Sequence, residues 1–244
     1  TTAAFYDPYL DAPLSRGLLV TDSATRRAEV LSADSAGLQI AVHAIGDRAN
    51  AMILGFFEEA IRRNGLRDRR FRVEHAQHLR QSDIPRFGTL GVIPSMQPYH
   101  VIDDGRWAGN RLDTVRLRGT YSFRTMLDAR ARLAFGSDWT VAPLDPIQGI
   151  YAAVTRRTLD NRNPDGWFPA QKITVEEDTL TIRYKSGEEA RSRKEAEAGL
   201  SETLVNYGVD QAKLREVTIE VQAMGGFGYW ASIVLPLAAP ILLI

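Results

Sequence analysis

The sequence predicts an α/β fold built on a parallel β-barrel, and three observations carry that expectation. Residues 38–43, 71–75 and 133–135 are short apolar runs of the length and composition of buried strands. Each runs into a residue fit for chemistry: His43, His75 and, after Gly136 and Ser137, Asp138. The spacing is 32 residues from His43 to His75 and 63, about twice that, from His75 to Asp138, and a strand, a helix and two loops take roughly 30 or more. The three residues therefore fall at one end of strands n, n+1 and n+3, where such a barrel gathers its functional groups.

The elements follow in order. Residues 1–23 read as a loop, broken by Pro8 and Pro13. Ser23 caps a helix over about 24–35, and Gly37 stops it. After the strand ending at His43, Gly46-Asp47 opens a helix to about Asn64 with Ile53, Phe56, Phe57 and Ile61 on one face, and Gly65 closes it. The strand ending at His75 leads into the polar loop Ala76-Gln77-His78. A helix begins at Ser82-Asp-Ile-Pro85, with the proline in its first turn, and ends near Gly91. A strand over 92–97 precedes a long loop from Pro98 to about Arg118 that carries Tyr99, His100, Asp103, Asp104 and Trp107. Loops at the functional end of a barrel supply substrate contacts, although this one also reads as a plain exposed connection. A helix over 121–131 leads to the strand before Asp138, a helix covers 147–157, and residues 161–169 form a turn-rich loop.

Taken singly, an Asp after a strand more often caps a turn, and a buried His more often hydrogen-bonds within a core. Two imidazoles and a carboxylate converging on one mouth are instead a divalent-metal constellation, so His43, His75 and Asp138 are the expected metal ligands. The 244 residues hold 30 basic and 30 acidic side chains and no cysteine. That length supports a sizeable core and one or two domains. The balanced charge argues against a nucleic-acid role, and the lack of cysteine excludes disulfides and thiolate metal sites. The opening Thr-Thr-Ala-Ala-Phe-Tyr has no initiator Met and no signal core, and reads as the cut edge of a longer chain.

Val42-His-Ala-Ile-Gly-Asp-Arg-Ala-Asn50, Arg72-Val-Glu-His-Ala-Gln-His78 and Leu133-Ala-Phe-Gly-Ser-Asp-Trp139 with Ala142-Pro-Leu-Asp-Pro146 together resemble the amidohydrolase superfamily. The branch is that of amidohydrolase-3 proteins similar to N-substituted formamide deformylase. Ser95-Met-Gln-Pro98 and residues 149–154 add to the match, which covers about residues 1–174. The resemblance implies a (β/α)₈ metal-dependent hydrolase of a non-peptide carbon–nitrogen bond, with a small amide-type substrate. His43 and His75 match the ligands after strands five and six, and Asp138 matches the strand-eight aspartate that binds metal and handles the proton of the attacking water. Zinc is the expected metal: bound, it acidifies water and polarises the carbonyl. His100 and Trp107, on the long loop, are the expected substrate contacts. The family also needs a His-x-His pair after its first strand, and none occurs here. The resemblance therefore implies the C-terminal half of a barrel, inactive by itself.

Beyond Thr174 the character changes. Residues 179–184 alternate as a strand, 188–197 are charged, 200–207 read as a helix and 217–221 as a strand, a small α+β unit over 175–224 without histidine. Residues 227–244 carry no charge and read as a truncated apolar helix spanning a membrane, with Tyr229 and Trp230 at its interface. Residues 175–244 resemble the N-terminal extracytoplasmic domain and second membrane helix of the ATP-dependent zinc metalloprotease FtsH. The full expectation is an incomplete barrel over 1–174, a small domain over 175–224 and a transmembrane helix over 225–244, joined as in a chimera. It implies a cytoplasmic hydrolase part, membrane-associated if the span forms. The alternative function is a non-catalytic membrane module with the barrel half as passenger.

Overall fold

A computed structural model describes residues 2–174 together with the short segments 181–182 and 232–234. Four parallel strands form its centre: β1 (Ala41–Ala44), β2 (Arg72–His75), β3 (Ile93–Met96) and β4 (Ala134–Gly136). They lie side by side in sequence order, with Val42 opposite Val73, Val73 opposite Pro94 and Met96 opposite Phe135. Helices alternate with them, as parallel neighbours require. These are α1 (Ser23–Ser35), α2 (Asp47–Asn64), α3 (Ile84–Leu90), α4 (Tyr99–Asp104), α5 (Thr114–Leu117), α6 (Phe123–Asp128) and α7 (Pro146–Thr155).

Local chemistry sets the element ends. The cap of α1 is Asp22 rather than Ser23: its carboxylate accepts from Thr25 N at 3.0 Å and also from the Thr25 hydroxyl. Asp145 caps α7 by accepting from Ile147 N at 2.9 Å, with Pro146 in the first turn. Gly91 ends α3 in the left-handed conformation. The face of α2 is Ile53, Leu54, Phe57 and Ala60, all buried, with the expected Phe56 and Ile61 half-buried at its margin. Phe57 stacks on Phe71 with ring centroids 4.3 Å apart, which ties α2 to the residue before β2. Val73, Phe87, Met96, Phe123 and Phe135 continue that core across the sheet. At its rim the buried Asp34 of α1 accepts from Arg69 Nε at 2.8 Å and Asn64 Nδ2 at 2.7 Å, and pairs with Arg67.

Two expectations need correction. The long loop after β3 holds α4, α5 and a turn of 3₁₀ helix over Ala108–Asn110, so it is a chain of short helical turns. Within the expected transmembrane helix, Ser232–Val234 form a strand, β6, antiparallel to β4; β5 (Thr181–Ile182), inside the expected strand over 179–184, pairs with it. A strand edge such as that of β4 offers a row of N–H and C=O groups, so an extended segment gains a ladder there. No helix among the described residues is long and apolar enough to cross a membrane. The rest of the expected small α+β unit, of the apolar C-terminal run and of the stretch expected to resemble FtsH lies outside the described residues.

Candidate metal centre

The C-terminal ends of β1, β2 and β4 and the start of α4 meet at one mouth. Parallel pairing sets Ala44 opposite His75 and Ser95 opposite Ala134, so the strands finish at similar heights. Each donor then leaves its strand sharply. His75 has φ +73°, Ala76 +45° and Asp138 +61°, left-handed values uncommon for residues with a side chain. Asn50, buried in the first turn of α2, steadies the exit from β1 beyond His43: its amide donates to the carbonyls of Ala44, Ile45 and Gly46 at 3.1, 3.2 and 2.9 Å.

His75, His100 and Asp138 each offer a donor atom within 4.8 Å of the other two, and all three side chains are half-buried. His100 Nε2 lies 3.1 Å from Asp138 Oδ2. The His43 ring packs edge-on against His75, with centroids 4.5 Å apart. The structure thus brings together His75 and Asp138 as expected, adds His100, and sets His43 one ring further out. The reason is positional. His43 is exposed on β1, the end strand of the sheet, whereas β3 lies between β2 and β4 and delivers His100 between their ends.

The donor set suits a divalent ion. Two imidazoles and a carboxylate are borderline-hard ligands, and metal bonds near 2.1 Å put tetrahedral ligand atoms on the order of 3.4 Å apart, a small closure from the separations here. His75 Nδ1 is buried with no hydrogen-bond partner, an anomaly for an imidazole that serves only the fold. Burial, with His43 and His100 nearby, holds His75 below the ordinary histidine pKa despite the pull of Asp138, so its ring is neutral and ready to ligate.

Beside the donors lies a layer of buried polar groups. Buried His78 shares a hydrogen bond between its Nδ1 and Thr120 Oγ1 at 2.8 Å. Gln77 Nε2 lies 2.7 Å from Asp104 Oδ2 and 3.2 Å from His78 Nε2, and Tyr121 OH donates to the same Asp104 oxygen at 2.6 Å. Burial drives the His78 pKa down to about 3 and pushes those of Asp104 and Tyr121 up.

A cavity of about 320 Å³ opens over the donors and this layer. Trp107 is among the residues that line it, exposed beneath the Arg111 guanidinium, which lies 5.5 Å from the ring centroid. Phe5 and Tyr9, from the N-terminal stretch expected to be a loop, also line it. That stretch is pinned: Ala4 O accepts from Arg48 N at 3.2 Å, and Tyr6 N donates to Asp47 Oδ1 at 3.0 Å. Its aromatic run, Phe5, Tyr6 and Tyr9, was the available signal that it is packed.

The family model described as "Amidohydrolase family" matches residues 1–185. The chain is 42% identical over 174 residues to Protein LONG AFTER FAR-RED 3 of Arabidopsis thaliana, covering 71% of this chain and 30% of that one. It is 27% identical over 149 residues to N-substituted formamide deformylase of Arthrobacter pascens, covering 59% and 26%. An uncharacterised metal-dependent hydrolase from Pyrococcus furiosus superposes with a TM-score of 0.60 at 34% identity, over 72% of this chain and 34% of that one. The chain thus spans about a third or less of the length of these relatives.

Proposed function

From a chain that belongs to the amidohydrolase family, we propose the activity of a metal-dependent hydrolase that cleaves a non-peptide carbon–nitrogen bond of a small amide. The observation that carries this reading is the buried, unpartnered Nδ1 of His75 beside a donor set whose atoms lie within 4.8 Å of one another. His75, His100 and Asp138 hold the ion, with His43 beside them. Zinc is the metal that best fits this mixture of imidazole and carboxylate; when bound, it supplies Lewis acidity towards water and the substrate carbonyl. Asp138, through Oδ2, takes the proton of the attacking water and passes it to the departing nitrogen. Trp107, Phe5 and Tyr9 exclude water and hold the organic part of the substrate. The name of the Arthrobacter relative supports an N-substituted formamide as the first substrate class to try.

The four histidines, at 43, 75, 78 and 100, include no His-x-His pair, so on this reading the chain binds metal while its turnover alone is low. Calorimetric titration with zinc tests the first part. We expect about one ion per chain, a loss of at least tenfold in affinity in His75→Ala and in Asp138→Ala, and a smaller loss in His43→Ala. Unchanged zinc affinity in both His75→Ala and Asp138→Ala would refute the metal centre.

A further inference from the structure

The side-chain amide of Gln77 has one orientation that its neighbours accept. The Asp104 carboxylate, already accepting from Tyr121 OH, lies 2.7 Å from the Gln77 amide, so the NH₂ faces it. The other hydrogen of that NH₂ then meets His78 Nε2 at 3.2 Å, and the Thr120 hydroxyl hydrogen is left for Arg116 O at 3.4 Å. Thr120 Oγ1 must then accept from His78 Nδ1. Burial keeps His78 neutral, so its single proton sits on Nδ1 and its Nε2 presents a lone pair. The group facing that lone pair must donate, and it is the Gln77 NH₂. The second hydrogen of the same NH₂ goes to the Asp104 carboxylate. Rotating the amide by half a turn would set its carbonyl oxygen against a carboxylate and a lone pair together. Both N–H bonds are therefore committed, while Oε1 has no hydrogen-bond partner among the described residues, and Gln77 lines the cavity alongside His75.

We propose that Gln77 Oε1 is a fixed acceptor for an N–H of the substrate, so that the site selects amides that carry an N–H against N,N-disubstituted amides and esters. Tyr121, Asp104, His78 and Thr120 are positioning residues that hold this acceptor. The proposal rests on the cavity being the substrate site of the hydrolase proposed above. A pocket acceptor that loses its donor partner discriminates far more strongly than one that loses a methylene.

Two measurements on the full chain test it. In ¹⁵N-histidine-labelled protein at neutral pH, His78 should be the Nδ1–H tautomer; the Nε2–H tautomer removes the orientation and overturns the proposal, whatever the metal does. Affinities are then compared for N-propylacetamide, its N-methyl derivative and propyl acetate, the ester matching the secondary amide in size. The secondary amide should bind at least ~10-fold more tightly than the other two. Gln77→Met, of similar shape without an acceptor, should bring all three within about twofold. Asp104→Asn, which permits the amide to turn, should also reduce the preference. A wild-type chain that does not favour the secondary amide, or a folded Gln77→Met that still does, overturns the proposal. Zinc binding is read separately: its loss with the preference intact sinks the hydrolase and leaves Gln77 as a selector of N–H donors.

Discussion

His78 is kept uncharged by burial, and that has a price in acid. Its ordinary pKa is 6.5 and its folded value about 3. As pH falls through 6.5 the unfolded chain takes up a proton that the folded chain refuses, so stability drops by about 1.4 kcal/mol per pH unit down to about pH 3. Between pH 7 and 5 that is about 2 kcal/mol, and urea unfolding of His78→Asn should show a correspondingly flatter pH dependence. Equal slopes in the two proteins would refute this assignment. At the same scale the sequence disclosed His75 and Asp138 as partners because each ends a strand. It set His43 among the ligands and His100 among the substrate contacts, whereas His100 is the one whose donor atom lies within 4.8 Å of those of His75 and Asp138. That difference depends on which strand lies in the middle of the sheet and how tightly the chain turns into α4, and neither leaves a periodic trace. Gln77 and Asp104 were equally hidden, since they are 27 positions apart and meet only through the fold.

Among the elements, α1 is fastened to α2 and to the approach to β2 by one carboxylate. Asp34 is fully buried and held by Arg69, Arg67 and Asn64, which outweigh its burial and lower its pKa to about 2. The stability it contributes is complete above pH 3.8 and is lost as pH falls through about 2. Asp34→Ala strands the Arg69 guanidinium and should cost about 3–5 kcal/mol in thermal or urea unfolding. The N-terminal stretch is fastened differently. A Cβ on Gly46 would stand 2.1 Å from Ala4 O, so Gly46→Ala should release residues 2–16 and speed tryptic cleavage at Arg16, with the pattern beyond Gly65 unchanged. Long elements such as α2 were legible because 18 residues repeat a face five times. The helices after β3, six and four residues long, were not, since a single turn has no period. Arg156 shows the same limit: it ends α7 in the left-handed conformation, and its buried guanidinium donates to Tyr121 O at 2.9 Å and Trp167 O at 2.7 Å.

For the whole molecule, the order of the parallel strands was readable because equal spacing and sequential neighbours leave few alternatives. The pairing of β6 with β4 was not, since an uncharged run looks alike as a helix or a strand. Among the described residues β1 ends the sheet, with one side of its ladder open. The protein should therefore self-associate as its concentration rises, and Ala41→Lys, which puts a charge on that exposed edge, should shift light-scattering mass towards the monomer. One division within the molecule reaches further. The three donor side chains come from the ends of β2 and β4 and from α4, while Phe5 and Tyr9, which bound the same cavity, ride on a separately anchored ribbon. Exchanging that ribbon would retune which molecules enter and leave the reactive groups undisturbed, so new preferences can arise here by grafting rather than by rebuilding.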